Sequence, residues 1–179
     1  MSEMHFEKGQ ILVYGTNGIC VVDDIRPMKI AMDAKPEPYY ILKLKRDARS
    51  SVSIPVRSIM LTSKMRDVMT AGEIQDMFAK AKEHKMGWEA DRRTRTEKFR
   101  DILLEGVSSD LLRMVICIYE RKKRLASDGK KLPVTDGNTF KSAVKLLEEE
   151  VGYAMDMDQD KVASYIMKKV GIKSDIDEA

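Results

Sequence analysis

The chain has 179 residues, 43% of them hydrophobic and 34% charged, a composition typical of one ordinary globular domain or two small ones. A net charge of +3 excludes a chain that is strongly basic or acidic as a whole, so the local distribution of charge must indicate the partners. We recognise no signal peptide and no apolar run near the roughly 18 residues of a membrane span, and we expect a cytoplasmic protein with no membrane partner.

The first part of the chain predicts short strands, because β-branched and aromatic residues occur in runs separated by turn residues. The predicted strands are 10–14, 19–25, 39–44 and 51–55. Turns or loops are predicted between them, at 15–18, 34–38 and 46–50, and prolines in the second loop cannot extend a strand ladder. So many short strands favour a small closed barrel, since closure removes exposed edges.

From Thr70 onward the apolar residues recur with a helical period. Gly87 is predicted to interrupt the first helix, and a long amphipathic helix is predicted over 88–105, ended by Gly106 as a C-terminal cap. The pattern therefore indicates that the remaining residues are helical.

Three further helices follow. Ser108 or Ser109 is predicted to cap the first of them, and a polar loop over 126–138 precedes the other two. We predict an α+β fold, with a strand domain at 1–66 and an all-α domain of about five helices at 67–179.

Basic residues cluster in two parts of the predicted helical domain. Residues 80–100 carry eight Lys/Arg against four Asp/Glu, and a second cluster occupies 121–131. Segregated charge of this kind creates a basic face on a nearly neutral protein.

Enzymatic chemistry has little support in the sequence. The two histidines are far apart, no Cys/His cluster has zinc spacing, and 15–18 lacks the lysine of a phosphate-binding loop. Cys20 and Cys117 each lie in an apolar run and are expected to be buried, reduced thiols. We expect no enzyme activity, metal, cofactor or small-molecule substrate.

Four successive segments resemble the CarD/CdnL family of bacterial RNA polymerase-binding regulators. They are FEKGQILVYGTNGI at 6–19, YYILKL at 39–44, SIPV at 53–56 and MRDV at 65–68. The resemblance implies a Tudor-like N-terminal barrel that binds the polymerase β subunit, a module shared with transcription-repair coupling factors. It also implies a helical domain that contacts double-stranded promoter DNA at the upstream edge of the transcription bubble, with low sequence specificity. There a tryptophan wedges into the minor groove and supports the open complex.

The resemblance assigns residues to both partners. The DNA-binding candidates are Lys85, Trp88, Arg92, Arg93, Arg95, Lys122, Lys123 and Arg124. The polymerase-binding candidates are Arg26, Tyr40, Ser53 and Pro55. The chain departs from the family pattern because the family's tryptophan, counted back from Gly106, falls near Arg92, about one helical turn from Trp88.

Other interpretations of these residues remain open. Trp88 can anchor a core, and Tyr40 and Pro55 can be structural. The arginines can form a solvated face with neighbouring carboxylates, in pairs worth only ~0.2–0.5 kcal/mol each. The whole chain can also be a protein adaptor without DNA contact, or a stand-alone binding relative of the repair-coupling module.

Overall fold

The structure is a computed structural model that describes residues 6–172. The chain divides into two compact units, and the boundary in the sequence falls between Val68 and Met69. We call residues 6–68 the strand unit and residues 69–172 the helical unit. The strand unit contains β1 (Ile11–Tyr14), β2 (Ile19–Met28), β3 (Glu37–Leu44), β4 (Asp47–Pro55), a short helix α1 (Ile59–Thr62) and β5 (Met65–Asp67). Strands followed by helices confirm the predicted α+β class.

The sheet of the strand unit is open. Its five antiparallel strands have the order β4-β3-β2-β1-β5, and within the described residues its two edge strands do not pair with each other. The predicted closed barrel is therefore wrong. β5 has only three residues and pairs with β1 alone, so it cannot reach across to close the sheet.

Two predicted turns are shorter than expected. The polar segment 46–50 belongs mostly to β4, because Leu44 opposes Asp47 and leaves only two residues for the turn. The predicted loop 34–38 ends earlier, since Pro38 lies in β3 opposite Pro27. Neither proline has an N–H to donate, so the ladder tolerates the pair near the end of the two strands.

One face of the sheet forms the core of the strand unit. Leu12, Leu42, Ile54 and Met65 are fully buried there, and Phe6 packs edge-on against Tyr40 at 6.1 Å between ring centroids. Alternate residues of each strand point to opposite faces, so the remaining side chains are presented on the other face of the sheet.

The helical unit has the five predicted helices. They are α2 (Ala71–Glu83), α3 (Arg92–Glu105), α4 (Ser108–Ser127), α5 (Val134–Ala154) and α6 (Gln159–Val170). Thr70 and Glu73 form a reciprocal capping box at the start of α2, and Gly106 ends α3 in the left-handed conformation, as its position predicts. Among the described helices, none is both long and apolar enough to cross a membrane.

Three predicted helix boundaries are wrong. α3 begins at Arg92 because the Asp91 carboxylate caps it, accepting a hydrogen bond from the Thr94 N–H at 2.8 Å, and Trp88 therefore precedes the helix. Ser108 is the first residue of α4 rather than its cap. The predicted loop 126–138 shrinks to 128–133, since α4 and α5 extend into it.

A buried carboxylate ties three helices together. Glu150 of α5 is 2% exposed, accepts a hydrogen bond from the Met69 N–H at 3.0 Å and receives another from the Ser108 hydroxyl. Both donors stand at helix starts, just before α2 and in the first turn of α4, where a negative charge is favoured.

We expect Glu150→Ala to lower the free energy of unfolding by about 2–4 kcal/mol, because it removes the buried carboxylate that accepts from the Met69 N–H and the Ser108 hydroxyl. Urea unfolding of the full chain measures the change. Glu105→Ala, which removes an exposed carboxylate at the end of α3, serves as the control and should change stability by less than about 0.5 kcal/mol. Equal effects of the two substitutions would contradict this role of Glu150.

Candidate functional site

Three of the four predicted polymerase-binding residues lie on one face of the sheet. Arg26, Tyr39 and Pro55 are directly opposed across β2, β3 and β4 and therefore share that face. Ser53 precedes Pro55 by two residues and points the same way. Arg26 and Ser53 are exposed and Pro55 is half-buried, so the three can present one surface.

Tyr40 is a wrong assignment. It is 2% exposed on the core face, and its hydroxyl accepts a hydrogen bond from the Phe6 N–H at 3.4 Å. Tyr39 lies in the row with Arg26 and Pro55, but it is itself only 5% exposed. The Tyr39 hydroxyl is buried, and no hydrogen-bond partner for it lies among the described residues. The sequence carries two adjacent tyrosines, and a register uncertainty of one residue exchanges their faces.

The outer edge of β4 pairs with no strand among the described residues. β4 is nine residues long, and Arg49, Ser51 and Ser53 alternate along its exposed face. The chain after β4 exposes two apolar side chains on α1, Ile59 at 83% and Met60 at 72%. A long free edge beside exposed apolar residues is suited to receive a strand from a partner.

Arg95 is also a wrong assignment, because it is an internal residue of the helical unit. It is 4% exposed and forms a two-pronged ion pair with Asp136 of α5, with N–O distances of 3.1 and 3.3 Å. Its remaining terminal nitrogen donates to the carbonyls of Glu89 and Ala90 at 3.0 and 3.3 Å. Its nitrogens are committed internally, and DNA phosphates cannot reach a side chain this deeply buried.

Trp88 is half-buried and lies between helices rather than deep in the core. The guanidinium carbons of Arg95 and Arg121 lie 4.5 and 5.4 Å from its ring centroid, and Phe99 meets it edge-on at 6.2 Å. The indole thereby fastens segment 88–91 to α3 and α4. Arg121, which contacts Trp88, is absent from the predicted set, although it belongs to the basic cluster at 121–131 that the sequence shows.

The end of α4 carries the strongest concentration of exposed cations. We define the α4 basic end as Arg121, Lys122, Lys123 and Arg124, of which the last three are exposed. Lys85 reaches the same helix through an ion pair with Glu120 at 2.9 Å. The structure therefore brings Lys85 and Trp88 to the α4 basic end. Cations are also favoured at a helix C-terminus for electrostatic reasons alone.

Arg92 and Arg93 lie in the first turn of α3 and are exposed. Arg92 is exposed, and Arg93 pairs with Glu97 at 3.2 Å on the helix surface. Such exposed pairs are weak, about 0.3–0.5 kcal/mol, so a phosphate can replace the carboxylate.

Residues 6–69 match the family model of the CarD-like/TRCF RID domain. The strand unit therefore corresponds to this CarD-like domain, which covers about a third of the chain. The match confirms the family resemblance and ends at the first residue of the helical unit, which lies almost wholly outside it. No curated protein matches the chain.

The CarD-like domain therefore carries the face and the free edge described above. Arg26, Ser53 and Pro55 remain predictions as individual polymerase contacts. So do Lys85, Trp88, Arg92, Arg93, Lys122, Lys123 and Arg124 as DNA contacts.

We expect Arg95→Ala and Asp136→Ala each to lower the free energy of unfolding by about 3–5 kcal/mol, because each leaves one buried charge without its partner. Chemical unfolding followed by the fluorescence of Trp88, the one tryptophan of the sequence, measures this.

Two further variants test the same pair. Arg92→Ala, on the exposed side of the same helix, should change stability by less than about 0.5 kcal/mol. The double variant Arg95→Met/Asp136→Leu should recover much of the lost stability, since it removes both charges. A double variant as unstable as the sum of the single variants would contradict the pairing.

Proposed function

We propose that the chain is a cytoplasmic, non-enzymatic transcription regulator. Its CarD-like domain binds the β subunit of RNA polymerase, and its helical unit contacts promoter DNA at the upstream edge of the transcription bubble and stabilises the open complex. The observation that carries the proposal is the match of residues 6–69 to a polymerase-interacting domain, joined to a helical unit with an exposed basic end beside a tryptophan.

The polymerase contact uses the free edge of β4 and the face beside it. Main-chain groups along the edge bind an extended segment of the β subunit, which gives affinity without dependence on sequence. Arg26 and Pro55 flank the buried Tyr39 in one row across the sheet. The side chains of Arg26 and Pro55 supply specificity. The exposed Ile59 and Met60 extend the apolar part of the contact.

The DNA contact uses the α4 basic end. Lys122, Lys123 and Arg124 bind phosphates, which supplies affinity with little sequence specificity. Trp88 is held by stacking against Arg95 and Arg121, so its position beside these cations is fixed before DNA binds. An indole held in this way can support an unstacked base step, whose opening costs a few kcal/mol.

The stabilisation of the open complex follows from bridging. Polymerase binding alone adds the same free energy to closed and open complexes and shifts nothing. A second contact to the DNA fork exists only in the open complex, and its binding energy therefore favours that state.

A protein adaptor without DNA contact is the second candidate, and one observation favours it. Three predicted DNA-binding cations already have carboxylate partners, in the pairs Lys85–Glu120, Arg93–Glu97 and Arg95–Asp136. The two candidates differ in the salt dependence of binding to fork DNA, because phosphate contacts must weaken as salt rises.

We expect Arg26→Glu to weaken binding of the full chain to RNA polymerase by about tenfold, since it reverses a charge on the proposed contact face. Surface plasmon resonance against the isolated β subunit and the holoenzyme measures the change and identifies the subunit. Lys168→Glu, with the same charge change on α6, is the control and should bind normally. An unaltered affinity of Arg26→Glu would remove this face from the contact.

We expect the double variant Lys122→Ala/Lys123→Ala to reduce the slope of log K against log salt for fork DNA by about 2, because two fewer phosphates are neutralised and each accounts for about one unit. Open-complex lifetimes should shorten, while binding to polymerase in the absence of DNA stays unchanged. The double variant Lys168→Ala/Lys169→Ala is the control, because it also removes two adjacent lysines near the C-terminal end of a helix. The same slope in both variants would favour the adaptor.

A further inference from the structure

A pocket of about 480 Å3 lies in the helical unit between the last turns of α4, the loop 128–133 and the first turns of α5. Its lining residues are Ile118, Tyr119, Lys122, Ala126, Lys130, Lys131, Leu132, Gly137, Phe140 and Lys141. The volume falls within the range of pockets that hold small molecules, about 300–1,000 Å3.

The pocket has an apolar floor and a cationic rim. Ile118 is fully buried, and Leu132 and Phe140 are half-buried against the helical core. The four lysines are exposed, and among the residues that the structure describes no acidic side chain lines the pocket. Lysine stems can cover apolar surface while the ammonium groups stay in water, which places the positive charge around the mouth.

We infer that this pocket binds an amphipathic anion, specifically a free medium-chain aliphatic carboxylate with its chain on the floor and its head group at the lysine rim. Several ammonium groups around one mouth repel one another, and a bound carboxylate offsets that repulsion. Burial of the hydrocarbon chain on the floor is favourable in proportion to the apolar surface removed from water. The pocket plays no part in the polymerase contact proposed above, but it shares Lys122 with the proposed DNA contact.

The floor selects against a nucleic-acid base. The side chains of Ile118, Leu132 and Phe140 offer no hydrogen-bonding group, and the other polar groups of the lining side chains are the Tyr119 hydroxyl and the lysine ammonium groups, so a base would bury its polar edges on the floor with few partners. A neutral hydrocarbon would cover the apolar floor but would give the lysine ammonium groups of the rim no anionic partner. An aliphatic anion satisfies both parts of the pocket.

The probe is decanoate, titrated below its micelle concentration into the full chain by isothermal calorimetry, with 1-decanol as the neutral ligand of equal chain length. We expect decanoate to bind saturably, more weakly as salt rises, and decanol to bind about tenfold more weakly. Equal affinities for the two would overturn the proposal, because the rim would then contribute nothing.

Gly137→Leu tests whether the pocket is the site without damaging the fold. A Cβ at Gly137 meets no atom within 4 Å, and the residue lies in α5, where a side chain improves helix propensity. The leucine fills the pocket, so decanoate affinity should fall at least about tenfold while stability holds. Unchanged affinity in this variant would overturn the site.

Lys141→Gln should weaken decanoate binding about threefold, whereas Lys145→Gln, one turn further along α5 and outside the pocket, should not. A last arm uses oligothymidine in place of decanoate. If the oligonucleotide binds the wild type and is lost with Gly137→Leu while decanoate fails to bind, the pocket is a nucleic-acid site and the proposal is wrong.

Discussion

The helical unit depends on the buried ion pair between Arg95 and Asp136. It joins α3 to α5, and the same guanidinium holds the carbonyls of Glu89 and Ala90 and supports the indole of Trp88. Arg121 of the α4 basic end lies over the same indole. The position of segment 88–91 beside the α4 basic end therefore depends on this one internal charge pair. Burying both charges is tolerable only because each nitrogen of the guanidinium has an acceptor.

The strand unit depends instead on the alternation of side chains across its sheet. Tyr40 and Ile54 face the core, whereas their neighbours Tyr39 and Ser53 face the other way. Since the period is two, a shift of one residue moves a side chain from one face of the sheet to the other; Ser53 is exposed there, whereas Tyr39 is itself 5% exposed. The CarD-like domain thus separates its stability from its recognition face.

Much of the fold could be predicted from the sequence, because local patterns determine it. The order of the first four strands and of the five helices of the helical unit, the turn at 15–18 and the cap at Gly106 all follow from residues close together in the chain, whereas the short elements α1 and β5 were not predicted. Closure of the barrel could not be predicted, since it depends on whether β5 reaches β4, and neither strand encodes that alone. The helix predicted from residue 88 begins instead at Arg92, because the Asp91 side chain caps it and no break in the apolar pattern marks that position.

The candidate site was less predictable for the same reason. The three arginines of the run 92–95 look alike in the sequence. Arg95 is nevertheless internal, because it pairs with Asp136, which lies 41 residues further along the chain. Tyr39 and Tyr40 look alike, and only the pairing with β4 distinguishes them. Long-range partners therefore decide which members of a uniform set are exposed.

The open sheet has one more consequence, for the protein when it is away from its partner. A nine-residue edge strand whose outer side pairs with no strand among residues 6–172 can pair with the same strand of a second copy and seed aggregates. Arg49, near one end of β4, and Pro55, its last residue, oppose such self-pairing by charge and by the missing N–H. The Arg49 charge and the missing N–H of Pro55 would equally restrict which strand of another protein can pair with this edge.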